Sequence, residues 1–556
     1  MKRKIPLLLL GTAISLVKPA FAQYPQIPAD IASASNAMMK EATRKSDSAW
    51  KVAYTAVDYD MRHGKPYIPW AARPNDLPQA DILAFPGAEG GGAHSFGGRG
   101  GKVYVVTSLA DSGPGTLRWA CEQGGARIIV FNVSGIIRIK SPLIIRAPYI
   151  TIEGQSAPGM GVCVAGESVW INTHDVVLRY MRFRRGETNV GRRDDSLGGN
   201  PVGNIIIDHC STSWGLDENM SIYRHMFDPG DGSKEEKLGT VNVTISNCIY
   251  SESLDTWNHA FGSTTGGENS LLVRNLWAYN TGRNPSVGWN GIYNFVNNVI
   301  FNWVHRSMDG GDYTAKFNII NNYFKPGPAT PKNTPVGHRI LKPESGRSKL
   351  KQRVFGMAYV NGNIMEGFPK VTANNWDGGV QVEGEDGKEM ENTGQYTDYM
   401  KWNKPFPMPA VKITSADAAR QFVLTNAGAT LPVRDAVDTR IVRQVATGKI
   451  EFKEGVELPK TQFEHRRLPI DSYKIGIITD PSQVGGYPDY KGAPYKDTDG
   501  DGIPDAWETA HGLNPKNAAD SPAMAKNSGG YSNIEVYLNT LAAKGEKSPA
   551  PLNKLR

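Results

Sequence analysis

Val241-Asn-Val-Thr-Ile245, Leu271-Leu-Val-Arg-Asn275 and Phe317-Asn-Ile-Ile-Asn321 decide the fold. Each is a short apolar, β-branched run that reads as a strand. The same texture occurs at Tyr149-Ile-Thr-Ile-Glu153, Val176-Val-Leu-Arg-Tyr180 and Asn204-Ile-Ile-Ile-Asp208. From Ile150 to about Ile364 such segments alternate with Gly, Asn and Ser turns. Aligning a polar residue that follows each strand gives Asn247, Asn275, Asn298 and Asn322, at intervals of 28, 23 and 24 residues. Self-similarity at that period is the signature of a solenoid. Leucine-rich repeats need a leucine frame and a helical turn, and both are missing, since no segment inside the repeats has helical periodicity. The expectation is an all-β, right-handed parallel β-helix, with the asparagines stacked on one another at a turn rather than touching a ligand.

Working outward, Ala37 to Asp58 is a helix candidate, and Ala84 to Lys140 is Gly-rich and then strand-forming. Beyond the repeats Ser415 to Lys449 reads as helical, because Asp435-Ala-Val-Asp-Thr-Arg-Ile-Val-Arg spaces its apolar residues by helical turns. The expected organisation is therefore a leader over residues 1–22, a partly helical segment over 23–83, the solenoid over 84–370, a partly helical C-terminal extension and linker over 371–495, and a tail over 496–556. Met1 to Ala22 has the basic start, short apolar run and Ala20-Phe21-Ala22 end of a secretory signal peptide, which predicts a secreted or periplasmic protein. No later window offers about 20 successive apolar residues, so no membrane span is expected.

Of the net charge of +7, Lys2, Arg3, Lys4 and Lys18 contribute four units with no acid among those residues, leaving +3 for the rest. The basic character that remains is local: Arg179, Arg182, Arg184, Arg185, Arg192 and Arg193 fall in one short stretch. Such a cluster favours a polyanionic partner, and contact with substrate is the expectation here. The four cysteines, Cys121, Cys163, Cys210 and Cys248, are too few for a disulfide scaffold and lack zinc spacing; one bridge and four buried thiols remain equal alternatives.

Two groups of acids carry chemistry. Asp497-Thr-Asp-Gly-Asp-Gly-Ile-Pro-Asp-Ala-Trp-Glu508 matches a twelve-residue calcium loop of EF-hand type. Asp497, Asp499 and Asp501 stand at positions 1, 3 and 5, Ile503 at 7, Asp505 at 9 and Glu508 at 12, with Gly502 at the sharp turn. No helix can precede it across Gly486 to Pro494, but one is expected over Asp505 to Ala510. In the repeats, Asp194-Asp195 and Asp217-Glu218 flank the strand Ile205 to Asp208, and adjacent coils would bring them to one face. Two carboxylate pairs beside arginines could hold a cation against an acidic sugar.

Ala84-Phe-Pro-Gly-Ala-Glu-Gly, Gly97-Gly-Arg-Gly-Gly101, Ile207-Asp-His-Cys-Ser-Thr-Ser-Trp-Gly-Leu-Asp-Glu218, Arg283-Asn-Pro285 and Asn297-Asn-Val resemble the family 1 pectate lyases, and most of all the group of fungal pectate lyase C and its bacterial relatives. The resemblance covers roughly Ala84 to Pro326. It implies a pectin-lyase-like solenoid, a Ca2+ cofactor and cleavage of (1→4)-α-D-galacturonan by β-elimination to 4,5-unsaturated oligogalacturonides. It places Asp195 and Asp217 at the family's calcium positions and Arg283 at its catalytic arginine, with a carboxylate clamp as the alternative role for Arg283. His259 stands nearest to a substrate-binding lysine of the family, and Arg193 is a second candidate substrate contact. His209 of the Asp-His motif is assigned to the packed coil. The chain departs from the pattern at Ser221, where many members have an acid that Glu218 could replace, and at Gly288, where a second arginine is common. A monomer acting on polygalacturonate, with no nucleic-acid partner, is the expectation. A lyase preferring methyl-esterified pectin and a non-catalytic β-helix that binds acidic polysaccharide are the alternatives.

Overall fold

The structure, a computed structural model, describes residues 27–186, 191–345, 350, 353–382, 396–458 and 466–545, so the leader expected at Met1 to Ala22 lies outside the described residues. Ten parallel strands stack into one long sheet that begins with Lys102–Val106 and ends with Met357–Asn361. A second sheet of nine parallel strands runs from Gly135–Arg138 to Ile364–Met365. The third face has two parts, one built on Leu143–Ile145, Val169–Ile171 and Leu197–Gly199, the other on Thr264–Thr265, Ser286–Val287, Met308–Gly310 and Leu341–Pro343. Isolated bridges from Leu197 to Met220 and from Ile222 to Thr265 join the two parts. Successive coils thus lay their strands on three faces in turn, and the expected parallel β-helix is the fold found. Among the described strands, Arg224–Phe227 and Glu236–Gly239 form an antiparallel hairpin that departs from this scheme.

Register explains the sequence texture. Ile205 pairs with Val176 on one side and Val243 on the other, and Ile207 with Leu178 and Ile245. The side chains that repeat at alternate positions point inward and stack like on like. Val176, Leu178, Ile205, Ile207, Val243, Ile245, Leu272, Phe295 and Ile319 all lie in one closed core. Fully burying each is worth about 1.5–3 kcal/mol.

The corner between the first two sheets is made the same way in coil after coil. Tyr180, His209, Asn247, Arg274, Asn297 and Asn321 all have φ between 51° and 57°. Asparagine adopts this left-handed conformation more readily than most residues. The residue after each corner points inward, and there the asparagine ladder runs. Asn275 Nδ2 donates to Asn298 Oδ1 at 3.0 Å, Asn298 Nδ2 to Asn322 Oδ1 at 3.1 Å, and Asn322 Nδ2 to Asn363 Oδ1 at 2.8 Å. The same oxygens accept the backbone N–H of Asn275, Asn298 and Asn322. One member of the expected series is corrected. Asn247 occupies the corner, and Cys248 holds the ladder position, its N–H bonded to Asn275 Oδ1 at 2.8 Å. The ladder spacing from Cys248 to Asn275 is 27 residues, one fewer than the interval counted from Asn247. All four cysteines are buried and unbridged.

Two faces are covered. The long sheet is sheathed by Phe85, Ala88 and Ala93 over Val177 and Ile206, and by the tail residues Ile503, Ile534, Tyr537 and Leu538 over Ile128 and Val130. The second sheet packs beneath two helices, where Val423, Leu424, Val437, Ile441 and Val445 meet Ile249, Leu276 and Val299. The single helical stretch expected at Ser415 to Lys449 is these two helices, Ala416–Asn426 and Ala436–Thr447. Pro432 has no N–H to continue a helix, and Ser415 and Asp435 each cap a fresh start. The first helix, Ala29–Arg62, extends beyond Ala37 to Asp58 and rests on the first coil, with Asp60 accepting the Ala126 N–H at 2.7 Å. The third face is the one that carries an open groove.

Replacing Asn298 with alanine removes the acceptor of two Asn275 donors and the donor to Leu272, all buried. Each orphaned group costs about 1–3 kcal/mol. Denaturant unfolding of Asn298→Ala is expected to show a loss of roughly 3 kcal/mol or a broken two-state transition.

Candidate active site

Between the second and third faces the chain makes a turn in every coil, and these turns line a groove of ≈ 1430 Å³. Asp194 and Asp195 precede the strand Leu197–Gly199, and Asp217 and Glu218 follow Ser211–Ser213 on the next coil. His259 and Phe261 belong to the coil after, and Arg283 to the one after that. Bridges from Glu218 to Phe261 and from Phe261 to Gly282 hold these turns in register. Neighbouring rungs are about 4.8 Å apart, so Asp195, Asp217 and Arg283 stand in file along one wall. Arg283 has φ 52°. A non-glycine residue held there marks a backbone fixed by its surroundings.

The contacts are specific. The Glu218 N–H donates to Asp195 Oδ1 at 2.9 Å, which aims the Asp195 carboxylate. Arg283 Nη1 pairs with Glu218 Oε1, which also accepts from Thr264 Oγ1 at 2.7 Å, while Ser221 Oγ donates to Glu218 Oε2. Glu218 therefore holds Arg283, and Ser221, standing where an acid was expected, helps orient Glu218. The Arg283 guanidinium also sits over the Phe261 ring, 4.8 Å from its centroid. His259, 2% exposed, places Nδ1 against Asp217 Oδ1 and packs against Phe261, ring centres 4.0 Å apart and the planes tilted by 49°. Gly288 lies against Tyr223, whose Cδ2 would be 3.0 Å from a β-carbon there, so the aromatic ring fills the space in which a second arginine was sought.

These neighbours set the charges. Burial raises the Asp195 pKa well above the usual carboxylate range, and the negative charges of Glu218, Asp217 and Asp194 add to it. Burial also disfavours ionised Asp217, but His259, Arg283 and Arg193 outweigh it and hold that carboxyl below its ordinary value. Burial would lower the Arg283 pKa, yet Glu218, Asp309 and Asp217 raise it above the ordinary arginine value. The opposite wall carries charges of both signs and aromatic rings, with Glu235 and Glu236 between Lys234 and Lys237, and Lys237 Nζ 4.6 Å from the Trp289 ring centre and 5.2 Å from that of Tyr223. This hairpin wall was not found in the sequence; the signal was the cluster Lys234 to Lys237 beside Gly230 and Gly232, which interrupts the repeat period.

The arginine stretch is corrected. Arg193 lines the groove, but Arg179, Arg182, Arg184 and Arg185 are buried. Arg184 Nη2 bonds Asp435 at 2.8 Å and Asp438 at 3.0 Å, and Arg182 pairs with Asp435 at 3.4 Å. Arg179 reaches Asp208 at 3.5 Å, and Arg192 bonds Glu167 at 2.7 Å. His209 joins the packed coil as expected, bonded to Asp208 at 2.8 Å and stacked on Tyr180 at 4.8 Å. In the tail, Asp497, Asp499 and Asp501 gather, as do Asp501, Glu508 and Asp520, with one oxygen of each within 4.8 Å of the others. The Ile503 side chain is buried in the solenoid contact.

The class of fold is thus a parallel β-solenoid with paired acids and a fixed arginine in one groove. Comparison with known proteins gives the family. The chain is 37% identical over 469 residues, 83% of its length and 94% of the relative's, to a probable pectate lyase C of Aspergillus flavus. It is 35% identical over 473 residues, with the same coverage, to one of Aspergillus fumigatus. The chain belongs to the pectate lyase family, among the pectate lyase C group, and is an enzyme of that family. No family model matches it. Among solved structures, a pectate lyase of Bacillus sp. N165 in complex with trigalacturonate aligns with TM-score 0.38 at 12% identity, over 62% of this chain and 98% of that one.

Removing Arg184 takes the nearest cation from buried Asp435 and Asp438, which costs about 3–5 kcal/mol. Arg184→Met is expected to lower the unfolding temperature while KM of the folded enzyme stays at the wild-type value; a raised KM with normal stability would return Arg184 to the substrate.

Proposed function

We propose that this enzyme cleaves polygalacturonate by calcium-assisted β-elimination, outside the cell or in the periplasm. No described helix is long and apolar enough to cross a membrane, which is compatible with that placement. The observation that carries the reading is the file of Asp195, Asp217 and Arg283 along one groove, Asp195 and Asp217 on adjacent coils and Arg283 two coils beyond Asp217.

The donor set fits a hard cation. Asp195 is crowded by three carboxylates, and that repulsion is relieved by a divalent positive charge. Among the described residues, three groove carboxylates do not approach within 4.8 Å of one another as those of the tail do. Asp195 and Asp217 would hold an ion only in part, leaving positions for a substrate carboxylate and water. A bound calcium ion supplies charge against the uronate carboxylate, so the negative charge that develops when C5–H is lost is stabilised where it forms. Arg193 and His259 line the groove on the coils either side of Asp217 and bind the sugar acid there. Arg283, on the far side of Asp217, takes the C5 proton; the C5–H electrons form the C4–C5 double bond, the C4–O bond breaks, and the leaving oxygen takes a proton from water. The product is a 4,5-unsaturated oligogalacturonide.

A general base must shed its own proton first. Glu218 opposes this by stabilising charged Arg283, and that ion pair favours a second reading in which Arg283 stays cationic and clamps a substrate carboxylate. The tail loop is proposed as a separate calcium site with a structural role, held by Asp497, Asp499, Asp501, Glu508 and the Ile503 carbonyl.

Polygalacturonate incubated with the enzyme is expected to develop the ultraviolet absorbance of an unsaturated uronide with calcium and none with a chelator; silence under all calcium concentrations sinks the lyase reading. Arg283→Lys is expected to lose at least about a hundredfold in kcat/KM, within the range of an acid–base group. If Arg283 is the base, activity rises as pH climbs towards its pKa. Glu218→Gln removes a charge that raises this pKa, so the profile moves to lower pH. A Glu218→Gln enzyme with raised KM and an unmoved profile selects the clamp.

A further inference from the structure

The tail loop does not use its ninth residue as its spacing suggests. Asp505 turns away from the other acids: it accepts from the Thr498 N–H and Thr498 Oγ1, each at 2.7 Å, and pairs with Lys496 Nζ at 2.9 Å. Asp520, twelve residues beyond the loop's end, takes the opposite course. It comes to within 4.8 Å of both Asp501 and Glu508. Asp520 Oδ1, Asp501 Oδ2 and both Glu508 oxygens are buried atoms without a hydrogen-bond partner. Glu508 is 0% exposed and Asp501 3%.

Buried carboxylates without donors are expensive, and three of them facing one another repel as well. Here they converge on one point. Asp520 is also set in place for the task. Its Oδ2 accepts the Asn514 N–H at 3.0 Å, which leaves Oδ1 directed at the cluster. Its carbonyl accepts Asn533 Nδ2 at 2.9 Å at the start of the last helix, Asn533–Gly545, and Ser521 Oγ donates to the Asp501 carbonyl at 3.1 Å.

We propose that Asp520 is a direct ligand of the tail calcium ion, in the position that Asp505 leaves open. The inference rests on the calcium reading of the loop. With Asp497, Asp499, Asp501, the Ile503 carbonyl and a bidentate Glu508, the ion gains about seven oxygens, inside the range calcium takes. The ligand from outside the loop ties three parts together: the loop, the turn Asn514 to Ser521 and the last helix. That helix and Ile503 pack on Ile128 and Val130 of the solenoid, so the ion fastens the tail to the first coils.

The test uses the full secreted chain, stripped with EDTA and titrated with calcium chloride by calorimetry, with thermal unfolding in parallel. Glu508→Gln removes the tail site and so separates its heat from that of any ion in the groove. Asp520→Asn keeps an acceptor for the Asn514 N–H and removes one charge. It is expected to unfold in EDTA at or above the wild-type temperature, because a repelling carboxylate is gone. It should bind the tail ion at least about tenfold more weakly, with a smaller calcium-induced rise in unfolding temperature. Asp505→Asn should keep wild-type affinity. Wild-type affinity in Asp520→Asn, or an equal loss in Asp505→Asn, overturns the assignment of Asp520 while leaving the loop a calcium site. A wild-type protein with no calcium heat beyond that of Glu508→Gln overturns both.

Discussion

The structure depends on the parallel register between coils. Each strand of the long sheet pairs with the one before and the one after, so a given position on one coil meets the same position on the next, about 4.8 Å away. Register in a sheet is strong where slippage would turn the apolar face outward. Here it is reinforced inside the core by the Asn275–Asn298–Asn322–Asn363 ladder, which bonds side chain to side chain and side chain to backbone at every step. An apolar residue could fill the same space, but it would not satisfy the backbone groups at the corner, and a buried unpaired N–H is costly.

The acid-and-arginine wall of the groove is a consequence of that register. Asp195, Asp217 and Arg283 are far apart in the chain and are not brought together by any local motif. They occupy the same turn on different coils, and the bridges through Phe261 carry the alignment across. The electrostatics follow from the same stacking: burial raises the Asp195 pKa and the neighbouring acids add to it, and an arginine farther along is held by Glu218. The groove opens on this face because the other two faces are sheathed by apolar segments and helices.

The arginine-rich stretch shows how one run of sequence serves two environments. In the strand Arg182–Arg184, alternate side chains point to opposite sides. Phe183 enters the core, while Arg182 and Arg184 leave the solenoid only to meet Asp435 and Asp438 on the helices that cover it. Arg193 lies past the strand, in the turn, and reaches the groove. Charge density alone could not separate these fates, because the carboxylates that claim Arg182 and Arg184 stand some 250 residues later in the chain.

The sequence by itself determined the solenoid, since period, strand texture and corner asparagines all act locally or between neighbouring repeats. It also determined which residue types crowd the groove, and the spacing of the tail loop. The placement of Asn247 at a corner and Cys248 in the ladder needed the register, because a one-residue offset leaves the repeat pattern almost unchanged. Only the tertiary structure decided that four of the arginines are buried, that Glu218 grips Arg283, that the hairpin forms the opposite wall, and that Asp520 rather than Asp505 faces the tail acids. Each of these depends on which distant group arrives with a complementary charge or an open coordination position. That is fixed by how the coils and their covering segments pack, and not by spacing along the chain.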